Sequence, residues 1–233
     1  MFKNLSEPSP LTMADMLKHL GDISPSRIRF RPPPGTATEK DVLDIRRREK
    51  RLYELVDGVL VEKVMGYPES SLTVHLIYLL QDFLRHHDLG NLAGADGVVQ
   101  LMKGLIRSPD MSFISWDRLP GRQIPDKPIL GLAPDLAVEV LSPGNTKREM
   151  DLKVREYFLS GVRQVWLVDG RKRCIRVYTA PDVSKLLTED DTLDGGDVLP
   201  ELHLPLREVF ARVPRTFNRR SSAHGKKPPR TER

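Results

Sequence analysis

The sequence predicts a mixed α/β protein: a central sheet flanked by helices, with added N-terminal helices and β-hairpins. Apolar residues recur at helical spacing in two segments, near 70–87 and 147–159. Short β-rich runs bounded by Gly, Pro and Asp lie between and beyond them. The run Ala133–Pro143 is apolar enough for a buried strand, yet it carries Asp135 and Glu139. In chain order the main segments read helix, strand, strand, strand, helix, strand, which suits a sheet with helices packed on it.

A chain of 233 residues suits one domain with a full core and terminal additions. It shows no run of eighteen apolar residues and no basic start followed by an apolar segment, so neither a membrane span nor a signal peptide is expected. A cytoplasmic protein follows as the expectation. The single Cys174 excludes an internal disulfide and a cysteine-cluster metal site. The net charge of +5 is unevenly spread. From Arg212 onward eight Lys or Arg stand against one Glu, so the rest of the chain is slightly acidic. Residues 212–233 read as a disordered basic tail, either merely solubilising or adding phosphate affinity without sequence information.

Met13 to Leu20 fits a short amphipathic helix, and Arg31-Pro32-Pro33-Pro34-Gly35 is a connector that cannot be helical. Thr38-Glu39-Lys40-Asp41 reads as a helix start leading into the charged run Arg46 to Arg51. Residues 1–50 are taken as an N-terminal extension packed on a main domain of residues 51–211. Tyr53 to Glu62 forms two β-rich runs around Asp57-Gly58, a dipeptide that tolerates the positive φ angles of a tight hairpin. Leu72, Leu76, Leu79, Leu80, Phe83 and Leu84 place a helix over 70–87, and His75, His86 and His87 on it lack the partners of a metal motif.

Strands are expected at 98–101, at 109–114 and at 134–141. A helix over 147–159 should end at Ser160-Gly161, where glycine supplies a left-handed cap. Strands at 164–168 and 174–178 follow, then a small β extension and a short helix near 206–211.

Alternation along the strand at 134–141 puts Leu136, Val138 and Val140 on one face and Asp135, Ala137, Glu139 and Leu141 on the other. An ionised Glu139 in this apolar setting must meet a metal, a cation or solvent, or else pair with Arg or Lys for structural reasons. Asp110 lies in the preceding strand, and if the two strands pair the carboxylates converge. Two hard oxygen ligands with room for water suit Mg²⁺ better than zinc, and Mn²⁺ is the expected substitute. Asp135 is either a third acid or a strand-start residue making turn bonds. A phosphodiester catalyst also needs a cation, most simply two residues after the glutamate, but that position is Leu141. Lys153, at the edge of the helix stripe formed by Met150, Val154, Tyr157 and Phe158, is the substitute that can point along the sheet.

These residues resemble a known family. Pro109-Asp110, the run Ala133–Pro143, Lys153 with Arg155-Glu156-Tyr157-Phe158, and Gly161 to Asp169 look like the Uma-two family of restriction-endonuclease-like proteins. Tyr53 to Gly58 and Leu187 to Leu193 look like its flanking segments, so the resemblance spans about residues 50–210. It implies a restriction-endonuclease-like αβββαβ core of the PD-(D/E)XK superfamily and Mg²⁺-dependent hydrolysis of phosphodiester bonds in DNA. It further implies that Asp110, Glu139 and the Val140 carbonyl bind the metal, that Lys153 is a catalytic lysine moved from strand to helix, and that Glu69 matches an auxiliary helix acid. Superfamily analogy suggests a homodimer, since two sites cut two strands. The alternative is a catalytically silent nuclease fold that binds nucleic acid or a protein partner. A purely structural α/β protein, its acids paired with arginines, is the third reading.

Overall fold

A computed structural model describes residues 12–213 of the protein. Residues 1–11, and the expected basic tail from residue 214 onward, lie outside the described residues. The chain opens with α1 (Met13–His19), whose Asp15 amide is capped by the Thr12 hydroxyl at 3.1 Å. A two-residue strand β1 (Ile28–Arg29) follows, then α2 (Glu39–Glu49). The start of α2 is held by Asp41, whose carboxylate accepts from the Thr38 amide at 2.8 Å, as expected of a residue three places after the cap.

The hairpin β2 (Tyr53–Val56) and β3 (Val59–Glu62) turns at Asp57 and Gly58, with φ of 46° and 77°. The backbone needs glycine at the second position for another reason as well: a Cβ on Gly58 would sit 2.5 Å from the Gly35 backbone. The Gly58 carbonyl accepts from the amides of Gly35 and Ala37, at 2.9 and 3.0 Å. The tip of the hairpin thus ties down the Pro-rich connector.

Helix α3 (Tyr67–Leu84) begins and ends three residues earlier than the spacing of its leucines suggests. Pro68 stands in its first turn, where the missing N–H costs nothing, so the helix extends back to Gly66. After it come β4 (Gly90–Gly94), β5 (Val99–Met102), β6 (Leu105–Arg107), β7 (Met111–Ser115) and β8 (Leu136–Val140). Then follow α4 (Lys147–Leu159), β9 (Gln164–Asp169), β10 (Cys174–Ala180), β11 (Val183–Thr188), β12 (Thr192–Asp194), β13 (His203–Pro205) and α5 (Leu206–Val209).

The central sheet has six strands in the order β11-β10-β9-β8-β7-β4. It is mixed, because β8 and β9 pair parallel while their neighbours pair antiparallel. A five-stranded antiparallel sheet, β1-β3-β2-β6-β5, packs beside it. The helix, three strands, helix, strand order is therefore α3, β4, β7, β8, α4, β9. One member differs from expectation: the strand at 98–101 belongs to the second sheet, and β4 takes its place at the edge of the central one. The sequence Gly90-Asn91-Leu92-Ala93-Gly94 has weak strand propensity and forms a strand because β7 offers it a complete antiparallel ladder.

Alternation in β8 sorts its side chains as predicted. Leu136, Val138 and Val140 join Leu72, Leu76, Leu80 and Leu84 of α3 in one core. Ala137 joins Met150, Val154 and Tyr157 of α4 in another, which also takes in Val56, Val59 and Val61 of the second sheet. Helix α4 therefore packs against both sheets, and its polar residues Lys153 and Glu156 are buried.

Candidate active site

Pairing of β7 with β8 places Met111 opposite Val138, which carries Asp110 to the end of the ladder beside Glu139. Both acids are buried, at 2 % and 4 % exposure. Asp110 Oδ2 accepts from the Val140 amide at 2.6 Å. Since the amide and carbonyl of one strand residue point to the same side, the Val140 carbonyl faces Asp110 too.

Helix α4 contributes the cation. Lys153 Nζ lies 3.0 Å from Glu139 Oε1, and one turn later the Tyr157 hydroxyl donates to the same oxygen at 2.6 Å. Residues four apart share a helix face, so this spacing lets two donors fix one carboxylate oxygen. Lys153 does not reach Asp110. Its second partner is Glu54 Oε1 on β2, at 2.9 Å.

Five residues, Glu54, Lys63, Arg107, Glu156 and Tyr157, complete the cluster without having been singled out for it in the sequence. Glu54 is almost wholly buried between Lys153 and Arg107 Nη1, the latter 2.8 Å away. Arg107, at the end of β6, also donates through Nε to Glu156 Oε2 at 2.8 Å. Lys63, just beyond β3, places its ammonium 2.8 Å from Asp110 Oδ1 and 3.4 Å from Glu139 Oε2, and donates to the Ser108 carbonyl. Tyr157 reads in the sequence as core. The signal for Glu54 was present: an acid inside the apolar run Tyr53-Glu54-Leu55-Val56, the same anomaly that marks Glu139.

Burial opposes ionisation of every acid here, and the local cations decide the outcome. For Glu139, Lys153 and Lys63 outweigh burial, and its carboxyl sits below the usual range. Glu54 goes the same way, since Lys153 and Arg107 outweigh its burial. Asp110 moves upward: burial dominates, Lys63 offsets only part of it and Glu139 adds repulsion. Burial would lower Lys153, but Glu139 and Glu54 hold it above its ordinary value, so it is an ammonium at neutral pH and not a base.

The donor set suits a hard divalent cation. Asp110 Oδ1 touches the Lys63 ammonium but has no hydrogen bond of acceptable angle, and among the described residues it is the only buried side-chain oxygen or nitrogen so placed. Among the described residues no group of three or more His, Cys, Asp or Glu side chains is arranged around an ion position. Two carboxylates and a carbonyl would leave the remaining positions around a hard divalent cation to water and phosphate. The cleft, lined by Arg27, Lys63, Asp110, Glu139, Val140 and Lys153 among others, has a volume of about 10 Å³. Roughly one water-sized probe fits such a space.

Asp135 and Glu69 lie outside this cleft. Asp135, at the opposite end of β8, accepts from the Ser115 amide at 2.8 Å and faces Arg118 and Arg163 at 3.5 and 3.6 Å. Asp135→Asn is therefore expected to cost about 1–3 kcal/mol of stability and to leave Mn²⁺ affinity unchanged. Urea unfolding and calorimetric titration read the two effects separately. Glu69, in the first turn of α3, folds back over its own helix start, where a Cβ on Gly66 would collide with its Oε2. His75 and His87 contact the main-chain carbonyls of Glu208 and Phe83.

Two acids meeting at the end of adjacent strands, with a lysine from the next helix, over an αβββαβ framework, make this a nuclease-like fold. Residues 22–207 match the Uma2 family, described as "Putative restriction endonuclease", and the chain belongs to that family. The match begins well before residue 50, so it takes in the segment carrying β1 and α2, which the sequence resemblance had left out. Among solved structures, the chain is similar to a "putative nuclease belonging to DUF820" from Anabaena variabilis ATCC 29413. That likeness has a TM-score of 0.62 and 18 % identity, covering 70 % of this chain and 91 % of that one. Comparison with curated proteins gave no match. Among the described residues no helix is long and apolar enough to cross a membrane.

Proposed function

We propose that the protein is a divalent-metal-dependent endonuclease that hydrolyses phosphodiester bonds in DNA. The observation that carries this reading is the buried meeting of Asp110 and Glu139 at the mouth of one cleft, with the Lys153 ammonium 3.0 Å from Glu139. Asp110, Glu139 and the Val140 carbonyl would hold Mg²⁺ or Mn²⁺. Bound there, the cation would supply Lewis acidity toward water and the scissile phosphate and offset the charge that develops on phosphorus.

The chain's own residues set up that chemistry. Lys153 and Tyr157 both address Oε1 of Glu139, which leaves Oε2 aimed into the cleft. Lys153, hydrogen-bonded to both Glu139 and Glu54, orients Glu139 and contributes positive potential where charge accumulates. Arg107 and Glu54 hold Lys153 in place from behind. The cleft takes an ion but not a nucleotide, so the phosphate must approach from the rim, where Arg27, Ser142 and Asn145 stand.

Supercoiled plasmid incubated with the purified protein should be converted to open-circular and linear forms with Mg²⁺ or Mn²⁺ and remain intact with EDTA. Intact plasmid under every metal condition, together with no measurable Mn²⁺ affinity, would reject this function in favour of a silent nuclease fold.

A further inference from the structure

We infer that Lys63 is an internal counter-ion standing in the divalent-cation position, and that loading the site displaces its ammonium from between Asp110 and Glu139. This inference rests on the metal-site reading above and adds a step to it. Lys63 Nζ contacts one oxygen of each acid, Oδ1 of Asp110 and Oε2 of Glu139. Those are the two oxygens left over once Val140 has taken Oδ2 and Lys153 and Tyr157 have taken Oε1. An ammonium and a divalent cation would therefore compete for the same atoms.

Charge balance supports the exchange. The buried cluster holds four carboxylates, Glu54, Asp110, Glu139 and Glu156, against three cations, Lys63, Arg107 and Lys153. One negative charge is left over. Replacing Lys63 with a divalent cation brings in two positive charges for one and removes the uncompensated charge, which is costly to keep buried.

Lys63 is also built to leave. Arg107 and Lys153 sit at the end of a strand and within a helix, whereas Lys63 lies in the irregular segment between β3 and α3, next to the exposed Val64. Its flexible four-carbon stem can carry the ammonium from the cleft to the rim without moving the backbone. By contrast, the site is held by strands that cannot shift without breaking ladders. The ammonium is the one occupant that can yield.

The test is direct Mn²⁺ binding by calorimetry to the full chain and to Lys63→Met. If a Lys63-out arrangement is the binding-competent minority, removing the ammonium should tighten Mn²⁺ binding on the order of tenfold or more. Lys63→Gln, which keeps a polar group at the position, guards against a Met variant that fails to fold. In the wild-type protein, reductive methylation read by mass spectrometry should leave Lys63 protected without metal and modified with Mn²⁺. Equal Mn²⁺ affinity in wild type and variants, or Lys63 labelling that ignores Mn²⁺, would overturn the inference while leaving the metal site standing. Absence of Mn²⁺ binding in wild type and variants alike would overturn both.

Discussion

Glu139→Gln is expected to slow phosphodiester cleavage on the order of 10²- to 10³-fold, the usual cost of removing one preorganised group at a reacting centre. The substitution keeps shape and removes charge. The amide oxygen can still accept from Lys153 and Tyr157 at the Oε1 position, so the packing of α4 against β8 should survive. The NH₂ group then replaces Oε2, the oxygen that faces Lys63 and the cleft, and a donor there cannot ligate a cation. Single-turnover cleavage of a labelled duplex reads the loss, and calorimetry should show Mn²⁺ binding gone. Activity within threefold of wild type would remove Glu139 from the site.

The largest effect on stability should come from Arg107→Met. Arg107 is buried and bridges Glu54 on β2 to Glu156 on α4. Its loss strands two carboxylates, one of which keeps Lys153 as a partner while the other does not. Breaking a buried pair from one side costs about 3–5 kcal/mol, which in a chain of this size lowers the melting temperature by roughly 10 °C. Adding Glu156→Gln to Arg107→Met should recover part of that loss, because the stranded charge goes with it. A double variant as unstable as the sum of its parts would show that the bridge is not coupled. Acid should act on the same cluster. The Glu54 carboxyl, buried but held below its ordinary value of 4.5 by Lys153 and Arg107, contributes stability that is complete above that value and is lost as pH falls toward the folded pKa.

Local chemistry made several elements legible. Asp57-Gly58 marked the hairpin, leucine spacing marked α3, and alternation assigned each residue of β8 to the correct core. Lys153 was legible because the helix that follows β8 in sequence also packs on it. Lys63 was not, and Glu54 stood out only as an acid in an apolar run without its partner, since they meet Glu139 and Lys153 across 76 and 99 residues and no periodicity encodes which sheet will face which. Strand β4 was missed for the opposite reason: its sequence is nearly neutral, and its partner decides its conformation. Placement of the strand at 98–101 in the wrong sheet followed from that omission.

The long separations within the cluster also bear on how the protein is made. Glu54, Lys63 and Asp110 leave the ribosome first, and their partner Lys153 comes only with α4. A growing chain therefore carries the acids before it carries the ammonium that orients Glu139. Assembly of the buried cluster waits on synthesis of α4, so a nascent chain that stops short of it lacks the ammonium that orients Glu139.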